Sequence, residues 1–372
     1  MNNPTIAPFG AWESPITAEA IVSDSVRLGQ IAVDGRDVYW SEMRPSEKGR
    51  STIVKRDEAG FIEVLPAEFN VRTRAHEYGG GAFCVSDGDI FFCNDADQRI
   101  YRVRIGETPV PLTPEGAYRY ADLVVDREHD RLICVREDHT ADGEPENTLV
   151  AVRFDGSVEV LAEGRDFYAA PRVSSGGPHI AWIQWQHPNM PWDETELVIA
   201  KVDESGAVIA SEHVAGGDNV AIFQPEFAAD GSLFYVSDAT GWWNIYRYDG
   251  ESDACVYSVD AEFGLPHWVF GMRTYDFNGP TRLAVTFQLD GISKLAEIDI
   301  GGGSVRTIPV PHIDMSGLRV ADGVAYYIGG SMRAPSAVAG VDLESGTVSV
   351  SRWSQEVYAI HRRLVPRFLG GG

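Results

Sequence analysis

The sequence has few cysteines, few basic residues and no long apolar run. Its four cysteines form no CxxC pair, so neither a disulfide framework nor a metal site is indicated. Cys84, Cys93 and Cys134 lie in apolar runs typical of strands, which predicts buried free thiols. Lysine and arginine number 31 against 55 aspartates and glutamates, and the net charge of −24 argues against nucleic acid and anionic membranes as partners.

Targeting signals are also missing. No apolar run approaches the roughly 18 residues that a membrane span needs. Residues 1–12 have neither the basic region nor the apolar region of a signal peptide. We therefore expect a cytoplasmic protein, and nothing in the sequence calls for a cofactor.

A sustained helical periodicity is absent, and a strand–turn–strand unit repeats seven times instead. Several copies turn at an Asp-Gly pair, as in VDGRD, SDGD, ADGS and ADGV, because glycine accepts the positive φ of a tight hairpin. The copies start roughly 40 to 55 residues apart, the spacing of four-stranded propeller blades, at Val26, Gly79, Tyr120, Ala169, Phe223, Phe270 and Ser316.

These repeats predict an all-β, single-domain fold, a seven-bladed β-propeller over residues 26–353. Residues 1–25 are expected to form an N-terminal extension and residues 354–372 a C-terminal tail.

The segments that connect the repeats carry long and unusual motifs. They include NVRTRAHEYGGGAF, VREDHTADGEPENTLVAV, WIQWQHPNMPWDETEL, VSDATGWWNIYR and AEFGLPHWVFGM. Between Pro8 and Met272 these motifs resemble bacterial members of the prolyl oligopeptidase family, of the acylaminoacyl-peptidase or dipeptidyl-peptidase-like kind. In that family an α/β-hydrolase domain with a Ser, Asp and His triad follows the propeller. The resemblance implies a non-catalytic propeller, because no position of this chain matches the triad.

A nucleophile elbow is missing from the sequence as well. The elbow requires Gly-x-Ser-x-Gly on a strand-to-helix turn. Its nearest approach, residues 329–333 with Ser331 at the centre, lacks the final glycine. We expect Ser331 to be a loop serine of the seventh blade and the chain to have no serine hydrolase activity of its own.

A propeller brings two sets of residues to one face, namely the starts of the innermost strands and the loops between the second and third strands. Aromatic and ionisable residues in these segments predict a ligand face around the central channel. The ligand-binding candidates are Arg119, Arg172, His187, Trp192, Gln224, Trp242, Trp243, Trp268 and Arg333. The candidates for acid–base chemistry are His76, Glu77, Tyr78, His139 and Glu226.

Structural roles are open for several of the same residues. His76 and Glu77 can brace the YGGG turn, whose glycines allow close backbone approach. His139 and His187 can cap loops through hydrogen bonds, and the tryptophans of TGWWN can pack between blades.

Three functions of different class follow. The chain is a propeller that gates peptides for a hydrolase domain, or a stand-alone module that binds a peptide or peptide-like small molecule, or a repurposed enzyme. As a stand-alone module it would hold its ligand at the channel or bind a separate hydrolase or biosynthetic protein. As an enzyme it would be a cyclase, lyase or isomerase of a peptide-like or secondary metabolite, with the acid–base candidates at the channel mouth.

Overall fold

The computed structural model describes Pro8, Ala11 and residues 25–57 and 60–355. Seven sheets follow one another along the chain, and each consists of four antiparallel strands in sequence order. This is the single-domain, seven-bladed β-propeller that the repeats predict, with the first strand of every sheet facing the central channel. The predicted extension and tail lie almost wholly outside the described residues.

The strands of blades I to IV have the following bounds. Blade I contains β1 (Arg27–Asp34), β2 (Asp37–Arg44), β3 (Arg50–Asp57) and β4 (Gly60–Glu63), with a short 3-10 helix at Pro45–Glu47. Blade II contains β5 (Phe83–Ser86), β6 (Asp89–Cys93), β7 (Ile100–Val103) and β8 (Val110–Pro111). Blade III contains β9 (Tyr118–Asp126), β10 (Arg131–Asp138), β11 (Glu146–Arg153) and β12 (Val158–Ala162). Blade IV contains β13 (Phe167–Val173), β14 (His179–Trp185), β15 (Glu196–Val202) and β16 (Val208–Gly216).

Blades V to VII complete the ring. Blade V contains β17 (Ile222–Phe227), β18 (Leu233–Ser237), β19 (Asn244–Tyr248) and β20 (Asp253–Tyr257). Blade VI contains β21 (Tyr275–Phe277), β22 (Arg282–Leu289), β23 (Ile292–Asp299) and β24 (Val305–Ile308). Blade VII contains β25 (Asp314–Ala321), β26 (Val324–Ser331), β27 (Ala334–Asp342) and β28 (Val348–Trp353).

The core lies between neighbouring blades. Central strands such as β6, with the sequence DIFFC, are buried along their whole length because both faces of the sheet contact another blade. In the outermost strand β16, burial alternates little from one residue to the next, and most of the side chains are exposed. The turn at Gly88 between β5 and β6 has φ +77°, which explains the Asp-Gly pair of the SDGD motif.

Bulged inner strands take part in contacts across four of the blade boundaries. The pairings of β1, β13, β17 and β25 with their neighbours shift register part-way along the strand. Near these shifts a polar side chain of one blade forms a hydrogen bond with the backbone of the following blade, at 2.6 to 3.0 Å. The donor and acceptor atoms are Gln30 Nε2 and Phe83 O, Ala170 N and Asp122 Oδ2, Gln224 Nε2 and Tyr275 O, and Val320 N and Asp276 Oδ2. The same bulges direct the side chains two residues further on toward the channel.

Blades VII and I close the ring through side chains and a short backbone contact. Trp40 and Val54 of blade I pack with Tyr326 and Val338 of blade VII in one apolar cluster. Arg352 Nε donates to Glu42 Oε1 at 2.8 Å across the same boundary. Val26 N also donates to Ser354 O at 2.7 Å, so packing, a partly exposed ion pair and a backbone hydrogen bond hold the first and last blades together.

Within the described residues no helix is long and apolar enough to cross a membrane. All four cysteines have free thiols. The prediction of buried thiols is confirmed for Cys93 and Cys134. Cys84 is instead half-buried, because it lies on an inner strand and lines the channel.

Candidate functional site

Two blade connections meet over the channel at the face where the inner strands begin. Gly80, between blades I and II, forms a parallel β-bridge with Phe270, between blades V and VI, and Phe270 N donates to Gly79 O at 2.9 Å. A side chain does not fit at this crossing, since a Cβ on Gly80 would lie 2.3 Å from the Phe270 carbonyl oxygen. We call the two segments, residues 75–81 and 266–272, the cap.

An open cleft of about 980 Å³ lies beside the cap, over blades III and IV. Five segments contribute to its walls: both parts of the cap, the β10–β11 loop, the connection from β12 to β13, and the β14–β15 loop. The sequence predicts a ligand at the channel mouth. The structure places the large opening to one side of the channel, because the cap covers the mouth.

His76 forms part of the floor of the cleft. Its backbone has φ +50°, its N–H donates to Glu137 Oε1 at 2.6 Å, and its ring lies 4.6 Å from the ring of Phe270. Burial lowers the pKa of His76 to about 4, helped by repulsion from His267, so the imidazole is neutral at physiological pH.

Three polar atoms of the floor are buried and form no hydrogen bond of good geometry within the described residues. They are His267 Nδ1, His76 Nε2 and Asn147 Oδ1, although the Asn147 side chain lies near enough to His76 to act on its pKa as a hydrogen-bond partner. Buried polar atoms are nearly always paired, so unpaired ones grouped at a cleft indicate a place where a ligand or water completes the bonding. Donors and acceptors are both available, because a neutral imidazole offers either and the amide oxygen accepts.

Aromatic rings form the remaining walls. Phe167 and Trp185 stack at 5.2 Å on the blade IV side, and His76 meets both rings edge to face. On the outer side Trp268 contacts Trp192 at 4.4 Å and Tyr78 at 6.0 Å between ring centroids. Trp268 is 52% exposed, so this wall presents a large apolar surface to solvent.

Carboxylates dominate the charge of the cleft. Buried Glu137 contacts His139 Nε2 at 3.0 Å and Arg119 Nη1 at 3.6 Å. Arg119 also donates to Glu77 at 2.9 Å, and this bond lowers the pKa of Glu77. Arg165, an arginine that lines the cleft itself, pairs with Glu196 at 2.7 Å.

Further carboxylates of the lining have no such neutralising partner. Glu144, in the β10–β11 loop, and Glu146, the first residue of β11, line the cleft and form no salt bridge among the described residues. The local field therefore favours a cationic group at this end of the cleft.

A second cavity, of about 290 Å³, lies in the channel below the cap and is separate from the cleft. Glu226 faces it, where Arg172 Nε donates to Glu226 Oε1 at 2.5 Å and Arg273 binds the same oxygen. These arginines lower the pKa of Glu226 to about 2. The prediction that Glu226 lies together with the other acid–base candidates is wrong, because the cap separates Glu226 from them.

The structure brings together about half of the candidates named from the sequence. The cleft is lined by His76, Glu77, Tyr78, His139, His187, Trp192 and Trp268, and Arg119 contacts two of its carboxylates. The candidates outside the cleft are Arg172, Gln224, Glu226, Trp242, Trp243 and Arg333.

Local contacts explain why these residues lie elsewhere. Gln224 is 1% exposed and its amide binds the backbone of blade VI, with Oε1 accepting from Thr274 N at 2.7 Å. Trp243 packs against Phe223 and over Gly264, where a Cβ would lie 2.4 Å from the indole. Arg333 is exposed in the β26–β27 hairpin.

Several residues of the cleft could not be found from the sequence, among them Glu137, Glu144, Glu146, Asn147, Arg165, Phe167, Trp185 and His267. Glu137 is the second-last residue of β10 and Trp185 the last residue of β14, just before the loops that carry His139 and His187. Charged or aromatic residues at those strand ends were the available signal. Within the described residues no group of three or more histidine, cysteine or acidic side chains is arranged to hold a metal ion.

Ser331 is placed as expected. It is the last residue of β26, and its Oγ accepts hydrogen bonds from the backbone N–H groups of Arg333 and Ala334 at 3.3 and 3.1 Å. This is a hairpin-turn serine with no helix after it.

The fold and its connecting segments define the N-terminal β-propeller of the prolyl oligopeptidase family. More particularly, the chain is similar to the propeller of puromycin hydrolases. It is 35% identical to a Mycobacterium tuberculosis puromycin-hydrolyzing peptidase, with a TM-score of 0.89 over 95% of this chain and 57% of that one. It is 32% identical to a mutant puromycin hydrolase complexed with PGG, with a TM-score of 0.90 over 95% of this chain and 58% of that one.

More distant structures show the fold alone. A prolyl endopeptidase structure is 14% identical, with a TM-score of 0.66 over 88% of this chain and 49% of that one. The chain thus spans less than two thirds of the length of the solved structures that it resembles. No protein-family model and no curated protein matches the chain.

Proposed function

We propose that this propeller selects peptide-like ligands for a peptidase, that the cleft holds the ligand, and that the chain has no serine hydrolase activity of its own. The observation that carries the proposal is the buried polar floor of an open cleft of about 980 Å³, where His267 Nδ1 has no partner among the described residues and where His76 Nε2 and Asn147 Oδ1 form no hydrogen bond of good geometry. A peptide-like ligand has the amide donors and acceptors that such a floor lacks.

The walls favour a ligand with an aromatic group and a positive charge. Trp192, Trp268 and Tyr78 offer ring faces, and a stacked ring contributes roughly 0.5 to 1.5 kcal/mol beyond its burial. Glu144 and Glu146 offer carboxylates to an ammonium group at the other end. Because similar proteins are named for the hydrolysis of puromycin, puromycin is a suitable probe.

The same face fits a hydrolase domain or a separate hydrolase as its partner. Trp268, Met190 and Tyr78 are exposed around the cleft, and large exposed apolar patches mark interfaces in soluble proteins. With a hydrolase over the cleft, the bound ligand would be enclosed between the propeller and the active site of the hydrolase. The propeller then acts by holding and orienting the ligand.

Two measurements test this proposal. Tryptophan fluorescence should change saturably with puromycin, and at least five-fold more weakly with puromycin whose amine is acetylated, since acetylation removes the positive charge. The isolated chain should not label with a fluorophosphonate and should not hydrolyse puromycin. Absence of saturable binding would reject the cleft as a ligand site. Stoichiometric serine labelling would reject the proposal that this chain has no serine hydrolase activity of its own.

A further inference from the structure

Five charged side chains line the channel cavity. Asp122 comes from blade III, Arg172 from blade IV, Glu226 from blade V, Arg273 from the residues just before blade VI, and Arg319 from blade VII. Each arginine lies two residues after a positive-φ residue, Ala170, Gly271 or Gly317, so the inner-strand bulges and the cap direct all three toward one space. The cap separates this cavity from the cleft.

The carboxylates leave much of this guanidinium surface unpaired. Glu226 Oε1 accepts from both Arg172 and Arg273. Asp276 lies only 3.7 to 3.8 Å from Arg273 and Arg319, and its two oxygens already accept backbone N–H groups of Phe277 and Val320 at 3.0 Å. Asp122, the remaining acid of the lining, accepts from Ala170 N and lies on the Arg172 side.

Arg273 and Arg319 hold the free donors. Arg273 is 5% exposed, and its Nε and Nη2 are buried without a hydrogen-bond partner among the described residues. Arg319 Nε is likewise buried without a hydrogen-bond partner among the described residues, and Arg319 Nη1 has only the 3.8 Å contact with Asp276. Burial, together with repulsion from Arg273, lowers the pKa of Arg319 to about 10, so the group still carries its charge at neutral pH.

Unpaired buried guanidinium groups are unfavourable, and their planar donor pairs match an oxyanion. A cavity of about 290 Å³ is large enough for phosphate, sulfate or a small carboxylate. We propose that the channel cavity binds one oxyanion between Arg273 and Arg319, with Arg172 at its edge. The bound anion completes the ring of charges that joins blades IV to VII. This inference does not depend on the proposed function of the cleft.

Calorimetric titration of the whole chain with inorganic phosphate, at pH 7 and constant ionic strength, tests the site. Acetate in a second titration distinguishes an inorganic oxyanion from a carboxylate. We expect one saturable site, at least ten-fold weaker in Arg319→Gln and intermediate in Arg319→Lys, which keeps the charge but loses the planar fork. Arg333→Gln, an exposed arginine of the same blade, is the matched control and should bind as the parent does.

Stability supplies a second readout that a purely structural arginine would not change. Phosphate should raise the urea midpoint of the parent and of Arg333→Gln but not that of Arg319→Gln. Saturable binding of either anion that depends on Arg319 supports the site and identifies its preference. Absence of saturable binding of both anions to the folded parent, or equal binding by Arg319→Gln, would overturn it.

Discussion

Gly80 and Phe270 form a parallel β-bridge over the channel, although 190 residues separate them in the sequence. The bridge joins the connection between blades I and II to the connection between blades V and VI, on nearly opposite sides of the ring. It covers the channel mouth and fixes His76 and Trp268, which flank it, at the edge of the cleft. The position of the cleft therefore depends on a contact that only a glycine permits.

Replacing Gly80 by alanine should severely destabilise the protein. Gly80 has φ +96°, and an added Cβ would lie 2.3 Å from the carbonyl oxygen of Phe270. We expect a loss of about 3 kcal/mol or more in the free energy of unfolding, measured by urea denaturation. Gly88→Ala is the matched control, because Gly88 also has positive φ but has open space around it, and it should cost only about 1 kcal/mol. Equal losses in the two variants would contradict the role of the bridge.

Glu226→Gln should also be destabilising. The substitution removes the charge that Arg172 and Arg273 share and leaves both guanidinium groups uncompensated. Breaking such a buried pair costs about 3 to 5 kcal/mol. Asp230→Asn removes an exposed pair with Arg247 and should cost less than about 1 kcal/mol. Thermal and urea unfolding of both variants measure the difference, and a mild effect of Glu226→Gln would show that solvent screens the channel network.

Stability should decline as the pH falls from 6.5 toward 4. The pKa of His76 is about 4 in the folded protein against 6.5 when exposed, and burial lowers that of His267 in the same direction. Above pH 6.5 His76 is neutral in both the folded and the unfolded protein, so its lowered pKa does not change the free energy of unfolding. Below it the unfolded chain binds a proton that the folded protein does not, which favours unfolding by up to about 3 kcal/mol near pH 4.

His76→Phe isolates this contribution. Phenylalanine retains contacts with Phe167, Trp185 and Phe270 but cannot be protonated. Urea unfolding at pH 7 and pH 5 should show a smaller loss for this variant than for the parent. An identical loss would mean that other groups account for the pH dependence.

The thiols of Cys93 and Cys134 should not react in the native protein. Both are buried, and burial raises the pKa of each well above its usual value. Cys84 is half-buried in the channel wall with a pKa raised to about 12, so it should react slowly. Titration with a thiol reagent before and after unfolding measures this. Rapid native reaction of the two buried cysteines would contradict their placement between blades II and III.

The blade pattern could be predicted from the sequence because each Asp-Gly hairpin is a local signal. Propeller topology also predicted that His76, His139 and His187 lie on one face, and the three share one cleft. The cap could not be predicted, since it depends on a backbone contact between distant segments. It separates Glu226 from these histidines.

Long-range contacts likewise decide the roles of individual polar and aromatic residues. Gln224 lies on an inner strand, where the sequence predicts an amide that lines the channel. Its hydrogen-bond partners are instead backbone groups of Thr274 and Tyr275 in the next blade. Trp243 lies in the same motif as Trp242, but only contacts with Phe223 and Gly264 show that it is a packing residue. A local pattern carries no information about such partners.

Calorimetric titration with puromycin, comparing the parent with Trp268→Ala and Trp242→Ala, tests the central claim most directly. The two tryptophans are both partly exposed on the same face, but only Trp268 lines the cleft. We expect saturable binding by the parent, unchanged binding by Trp242→Ala and at least five-fold weaker binding by Trp268→Ala, the equivalent of about 1 kcal/mol. Loss of binding in Trp242→Ala with normal binding by Trp268→Ala would place the ligand outside the cleft and contradict the account.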